Sequence, residues 1–385
     1  SKTIETGDNG PLEFRLQYTD LAGNSGEEVT TTTDDTSVTM DTVAPDLSGY
    51  TLTVNGSSSF TAKPRDVLKL EINTTESIST PTVKLAGQSV AASGSENSWS
   101  AQRELLASDT EGEVAIEIIL TDAAGNTRTR SYPQVDSSNL LASYPFSGNA
   151  DDASGNDNDL TPKGGASLTN DRFGRSNSAY RFDGSNDYIV VNDPPQISGD
   201  ITVEMWLKTT QADQNFAIGK YNGGSDVGWL LLVNNQKAQF DGRDGSGNYR
   251  SVSSSEIIDD GKWHHVAAQR SGSIWRVMVD GGDWTENDVG TQGSIEAGIP
   301  MAIGALHADG GYPFNGQIDD VRIWDSALDA SQVLMRANTV RLDTSTPTLS
   351  DITLASSSTF SGWAKSGENL TLSFSASEGI PTPTV

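Results

Sequence analysis

The segment Thr19-Asp20-Leu21-Ala22-Gly23-Asn24 occurs again as Thr121-Asp122-Ala123-Ala124-Gly125-Asn126, at an offset of 102 residues. This constrains the fold more than any other feature, because self-similarity at a fixed spacing means one structural unit used repeatedly. Each copy closes an alternating run: Leu12, Phe14, Leu16, Tyr18 before the first, and Val114, Ile116, Ile118, Leu120 before the second. Period-two alternation marks a half-buried strand. Ala-Gly-Asn then supplies the tight turn, since Gly and Asn tolerate positive φ. A second offset, 302 residues, relates Met40-Asp41-Thr42-Val43-Ala44-Pro45 to Leu342-Asp343-Thr344-Ser345-Thr346-Pro347. It also relates Leu68, Leu70 and Ile72 to Leu370, Leu372 and Phe374.

The chain therefore divides into four segments. Residues 1–40 read as the C-terminal part of one repeat and 41–137 as a whole repeat. Residues 138–340 have a different pattern, and 341–385 read as the N-terminal part of a further repeat. Repeats cut at both ends predict a piece of a longer chain. The fold class is all-β: short alternating strands, turn signals every 8–12 residues and almost no helical periodicity fit antiparallel sandwiches. Residues 138–340 carry strand after strand, such as Ile201–Leu207 and Trp275–Asp280. Turns are expected at Asn222-Gly223-Gly224 and at Asp241-Gly242-Arg243-Asp244-Gly245. One helix is expected where Asp329 and Gln332 form a capping-box start before Val333, Leu334 and Ala337.

Charge and cysteine content exclude several functions. Lys and Arg total 25 against 52 Asp and Glu, a formal net charge of −27. Nucleic acid and anionic lipid both demand a basic footprint, so neither is expected as a partner. There is no cysteine, which removes disulfide scaffolds, thiol catalysis and thiolate-bound zinc. No apolar run approaches the roughly 20 residues that span a bilayer.

Motifs then point to two families. The repeat, with Asp41-Thr42-Val43-Ala44-Pro45 near its start and Thr121–Asn126 near its end, resembles bacterial immunoglobulin-like domains of large surface adhesins. The central block resembles a bacterial laminin-G-like domain of the concanavalin A-like lectin/glucanase fold, a jelly roll. Four motifs in order carry that resemblance: Tyr144–Asn156, Tyr180–Ile189, Gly261-Lys262-Trp263-His264-His265-Val266-Ala267 and Asn315–Leu328. Ser147 departs from the family, which often has Asp there. The resemblance implies an extracellular or cell-surface, non-catalytic binding module. Its partner would be a glycan or a cell-surface protein, and it would be held by a structural Ca²⁺. A stalk spacer that binds nothing is the alternative, and a glycoside hydrolase the outlier.

Candidate site residues follow. Residues 149–193 hold eight Asp, and hard Ca²⁺ takes six to eight oxygens. Asp151, Asp152, Asn156, Asp183 and Asp187 offer them, although the same pattern also reads as a set of Asx turns. The resemblance adds Asp319, and Asp320 beside it, on the last strand. For glycan contact, aromatic rings in Gly-, Asn- or Asp-rich contexts are the candidates, because a ring face stacks on a pyranose. These are Tyr221, Tyr249, Trp284 and Tyr312, each with core packing as its competing role. Trp206, Trp263, Trp275 and Trp324 alternate inside strands and are assigned to the core. His264 and His265 lie in a strand, one facing in and one out, with no triad pattern. The block has four Glu, at 204, 256, 286 and 296; Glu204 lies in a strand, but no second acid follows at the spacing a retaining glycosidase needs.

Overall fold

The computed structural model describes residues 3–133, 137–191, 193–197, 199–221, 227–290, 293–357, 363–377 and 383–384. The Asn222-Gly223-Gly224 turn and residues 134–136, at the boundary between repeat and block, lie outside them. Among the described residues the protein is all-β with one helix, Ala330–Ala337. Among the described residues no helix is long and apolar enough to cross a membrane.

Residues 41–133 form a sandwich of two four-stranded antiparallel sheets. One runs in the order Leu47–Val54, Val67–Thr74, Ser98–Glu104, Ala92–Ser95, the other Thr127–Tyr132, Ile116–Thr121, Thr82–Leu85, Gln88–Val90. The alternation of Leu68, Leu70 and Ile72 against Val114, Ile116, Ile118 and Leu120 places all of them in its core. The repeated hexapeptide has one geometry in both copies. Asp122 Oδ1 accepts the Asn126 amide at 2.9 Å, and Asn126 Nδ2 donates to Oδ2 at 2.8 Å. Asp20 and Asn24 make the same two bonds. Gly23 (φ +88°) and Gly125 (φ +92°) take the left-handed corner.

Among the described residues, neither flanking segment has a second sheet packed on its first. The strand expected over Leu12–Tyr18 is reduced to isolated bridges, Leu16 to Val29 and Thr19 to Ser25. Its side chains have no opposing layer, and a lone hairpin is marginal in water. Leu349–Ser356 pairs antiparallel with Leu370–Ala376.

Residues 138–324 form a jelly-roll-like sandwich. An eight-stranded sheet runs Ser167–Thr169, Ala179–Asp183, Asn315–Trp324, Ile201–Lys208, Trp263–Ser271, Ile274–Val279, Thr285–Asp288, with Leu140–Tyr144 also on Asn315–Trp324. A seven-stranded sheet runs Thr161–Lys163, Tyr188–Val191, Met301–Ile303, Asn215–Lys220, Gly228–Asn234, Lys237–Arg243, Tyr249–Ser253. Between them lies the core, including Tyr144, Phe182, Trp229, Phe240 and Trp275. The turn expected at Asp241–Gly245 is displaced: Asp241, Gly242 and Arg243 end a strand. Gly242 is there for close approach, since a Cβ would sit 2.3 Å from the Trp275 ring.

The two sandwiches share one apolar core. Trp324, Leu328 and the helix residues Val333, Leu334 and Met335 pack with the repeat's buried side chains. The helix starts as its sequence requires, with the Gln332 side chain accepting the Asp329 amide at 3.0 Å. Beyond the helix, Arg341–Leu342 returns to the repeat, antiparallel to Gly112–Glu113 and parallel to Thr61–Ala62. Trp206, assigned to the core, faces the repeat instead, its ring 5.2 Å edge-on from Phe60. Trp263 is only partly buried.

Candidate functional site

The strand Gly228–Asn234 is the key to the site. Its run Trp229-Leu230-Leu231-Leu232-Val233 is apolar on both faces. Trp229, Leu231 and Val233 enter the sandwich core. Leu230 and Leu232 point outward, where they form a separate small cluster with Tyr221, Leu306 and Phe216. A continuous apolar run is normal for a strand covered on both sides. Here the outer face is an open groove of about 590 Å³, with Leu230, Leu232 and Leu306 as floor and Phe216, Tyr221, Tyr249 and Tyr312 around it.

Three of the four candidate aromatics thus meet in one place. Tyr249 (47 % exposed) comes from the neighbouring edge strand, and Tyr312 (56 % exposed) from the loop before Asn315–Trp324. Tyr312 packs against Phe216 and His307, each with ring centroids 5.7 Å apart. Its φ of +56° is a left-handed conformation that a bulky residue adopts only at a cost. Asp241, on the outer row beside Leu230, is buried. Tyr249 Oη donates to its carboxylate, and Gln239 Nε2 lies 2.9 and 2.8 Å from its two oxygens. Burial pushes the Asp241 carboxyl above the usual carboxylate range despite these donors, and burial together with Asp241 pushes the Tyr249 phenol up. Asp241, Gln239, Phe216 and His307 were not among the residues singled out from sequence. The apolar run 229–233 was the available signal.

Trp284 lies elsewhere, beside the edge strand Thr285–Asp288 of the eight-stranded sheet. The Arg276 guanidinium covers its ring at 4.5 Å. It borders a second groove, about 670 Å³, between the repeat's outer strands and the turn at 281–283.

The seven residues named for calcium do not share a site. Asp152 accepts from the amides of Ser143, Ser154 and Asn158 and from the Ser154 hydroxyl, at 2.8–3.1 Å. Asp151 accepts from Asn149 Nδ2 at 2.5 Å, and Asn156 Nδ2 donates to the Leu140 and Leu141 carbonyls. Asp183 takes the Ser185 amide, and Asp187 the amides of Gly165 and Asp183. The loop is therefore a set of Asx turns. On the last strand a guanidinium stands where the resemblance would put a metal: Arg172 Nη1 lies 2.9 Å from Asp319 and 2.8 Å from Asp320. The donor set does not fit a shared Ca²⁺. Among the described residues, the carboxylates whose oxygens all lie within 4.8 Å of one another are those of Asp41, Glu76 and Asp122, in the repeat.

The eight-stranded sheet's outer face carries buried charge. Glu204 has no exposure. Arg336 Nε donates to its Oε1 at 2.5 Å, Arg322 Nη1 lies at 3.6 Å, and His265 Nε2 lies 3.6 Å from Oε2. Burial raises its pKa, but Arg336, His265 and Arg322 overcome this and hold it at about 2. Asp319, desolvated beside Asp320, is pushed well up, while Arg322 and Arg172 hold Asp320 down against its own burial. His265 is buried on this outer face beside Trp206 and Glu204, and His264 sits between Asp280 (2.8 Å) and Asp260 (3.1 Å).

Residues 183–334 match the family model of the concanavalin A-like lectin/glucanases superfamily. This part of the chain is a concanavalin A-like domain. No curated protein matches the chain. Solved structures similar to it include the binding domain of Paraclostridial Mosquitocidal Protein 1, at 20% identity and TM-score 0.44, covering 52% of each chain. The botulinum neurotoxin serotype D binding domain matches at 15% and 0.42, covering 52% of this chain and 51% of its own. The ligand binding domain of that serotype in complex with N-acetylneuraminic acid matches at 16% and 0.42, with the same coverage. The chain spans about half the length of these structures.

Proposed function

We propose that the concanavalin A-like domain is a non-catalytic carbohydrate-binding module, carried between immunoglobulin-like repeats of an extracellular surface protein. One observation carries this: Tyr221, Tyr249 and Tyr312, from three separate positions in the chain, converge on an open groove with an aliphatic floor. A groove with rings at its sides and polar groups at one wall suits a sugar's C–H face and its hydroxyls. Glu204, the strand Glu, is sealed under Arg336 and supplies no carboxylate to a substrate.

A glycan array probed with the full chain tests this. Specific hits are expected, with Tyr312→Ala and Tyr249→Ala each weakening them at least tenfold while the thermal midpoint of Tyr312→Ala stays put. A blank array sinks the proposal and favours the second reading, a stalk spacer. That reading has its own support in the contacts to the repeat, where Arg130 Nη2 donates to Asp329 Oδ2 at 3.1 Å and Arg172 Nη2 lies 3.8 Å from Glu113 Oε1.

A further inference from the structure

The groove's walls also bear on which sugars it accepts. Among its described lining residues none is Lys or Arg, and the one carboxylate is Asp241. The donors on that wall are already committed. Both oxygens of Asp241 lie within reach of Gln239 Nε2, and Tyr249 Oη also donates to this carboxylate. Gln239 Oε1 in turn accepts from Asn234 Nδ2 at 3.1 Å and from Ser253 Oγ at 3.3 Å. The Arg243 guanidinium is engaged outside the groove lining: its Nη1 donates to the Gly247 carbonyl at 2.7 Å, and its Cζ stands over the Tyr249 ring, 5.8 Å from the centroid.

Resting on the carbohydrate reading above, we propose that this groove selects uncharged sugars and rejects acidic ones. A carboxylate or sulfate on the ligand would lose its hydration over Leu230, Leu232 and Leu306 and gain no charge-assisted donor in return. It would also approach Asp241, a like charge. An uncharged ring loses little by laying its C–H face on the same floor and keeps its hydroxyls toward solvent and the amides of Gln214 and Asn234. The chain's net charge of −27 acts in the same direction, though salt screens it beyond about 8 Å at physiological ionic strength.

Paired oligosaccharides that differ only by a terminal sialic acid, uronic acid or sulfate test this, titrated into the full chain. The uncharged member of each pair is expected to bind at least tenfold tighter. Asp241→Asn is expected to narrow that ratio by at least threefold. Raising the salt concentration on the unmodified chain narrows it too, a check that does not depend on the variant folding. Equal or tighter binding of the acidic members overturns the proposal, and its loss in Arg243→Ala would name the cation responsible. Binding of no sugar at all instead removes the carbohydrate reading on which the selectivity rests.

Discussion

The concanavalin A-like sandwich has two outer faces, and they invert the usual distribution of residues. The face turned to the repeat is closed, yet it carries Glu204, Arg172, Asp319, Asp320, Arg322 and Arg336. The opposite face is open, yet its floor is Leu230, Leu232 and Leu306. Buried ion pairs stabilise little by themselves, because desolvation offsets the attraction. Two further contacts run across to the repeat, Arg172 Nη2 to Glu113 Oε1 at 3.8 Å and Arg130 Nη2 to Asp329 Oδ2 at 3.1 Å, and a shifted docking breaks both. Exposed apolar surface has the opposite meaning: it stabilises nothing until something covers it. One face is covered by a fixed neighbour and the other is left open.

This contrast can be broken experimentally. The largest effect is expected from deleting the repeat. A chain of 138–340 alone exposes Trp324, Leu328, Val333, Leu334 and Met335, each buried side chain of this size being worth about 1.5–3 kcal/mol. It should elute as aggregates in size-exclusion chromatography. A monomer with undiminished thermal midpoint would show that the closed face needs no partner.

Single charges come next. Arg172→Met leaves Asp319 and Asp320 facing each other in the interior and should cost about 3–5 kcal/mol in denaturant unfolding. Glu204→Gln should cost roughly 3 kcal/mol at neutral pH, the equivalent of holding a carboxylate at about 2 instead of 4.5. Because the folded-state value is depressed, this contribution is complete above about pH 4.5 and is lost as pH falls toward 2. The variant should therefore lose less stability than the parent across that window, and parallel acid limbs would show that Glu204 is not the group responsible.

The open face predicts smaller stability changes with larger functional ones. Tyr312→Gly removes a ring held in the left-handed region, so it should stabilise the fold by up to about 1 kcal/mol while sugar binding disappears. A destabilised variant would mean that the Phe216 and His307 contacts outweigh the backbone strain. The smallest effect is expected in the repeat. Burial, Asp41 and Asp122 push the Glu76 carboxyl up, so Glu76→Gln should raise the thermal midpoint slightly at pH 7. A drop that appears only with Ca²⁺ present would show that an ion holds the three carboxylates together.

What was legible in the sequence was local. The Asp122-to-Asn126 turn, the Gln332 cap and the alternation of Leu68, Leu70 and Ile72 follow from spacing within a few residues. The aromatics at 221, 249 and 312 were legible as a type, but not as a group, because their meeting depends on sheet order. Arg172 was invisible as the partner of Asp319, 147 residues away, and Arg336 as that of Glu204, 132 residues away. An acidic loop looks the same in sequence whether its oxygens hold a metal or backbone amides. Gly242 was misleading for a similar reason: a glycine required by a Trp ring and one required by a turn are the same letter.

The short return strand Arg341–Leu342 has a mechanical meaning. Both ends of the concanavalin A-like sandwich are fastened to the same repeat, one through the chain and the other through this strand. In a chain under tension, the load passes from the repeat directly into Arg341–Leu342 and onward. The concanavalin A-like sandwich then hangs beside the line of force as a side branch, so its groove keeps its shape while the chain is pulled.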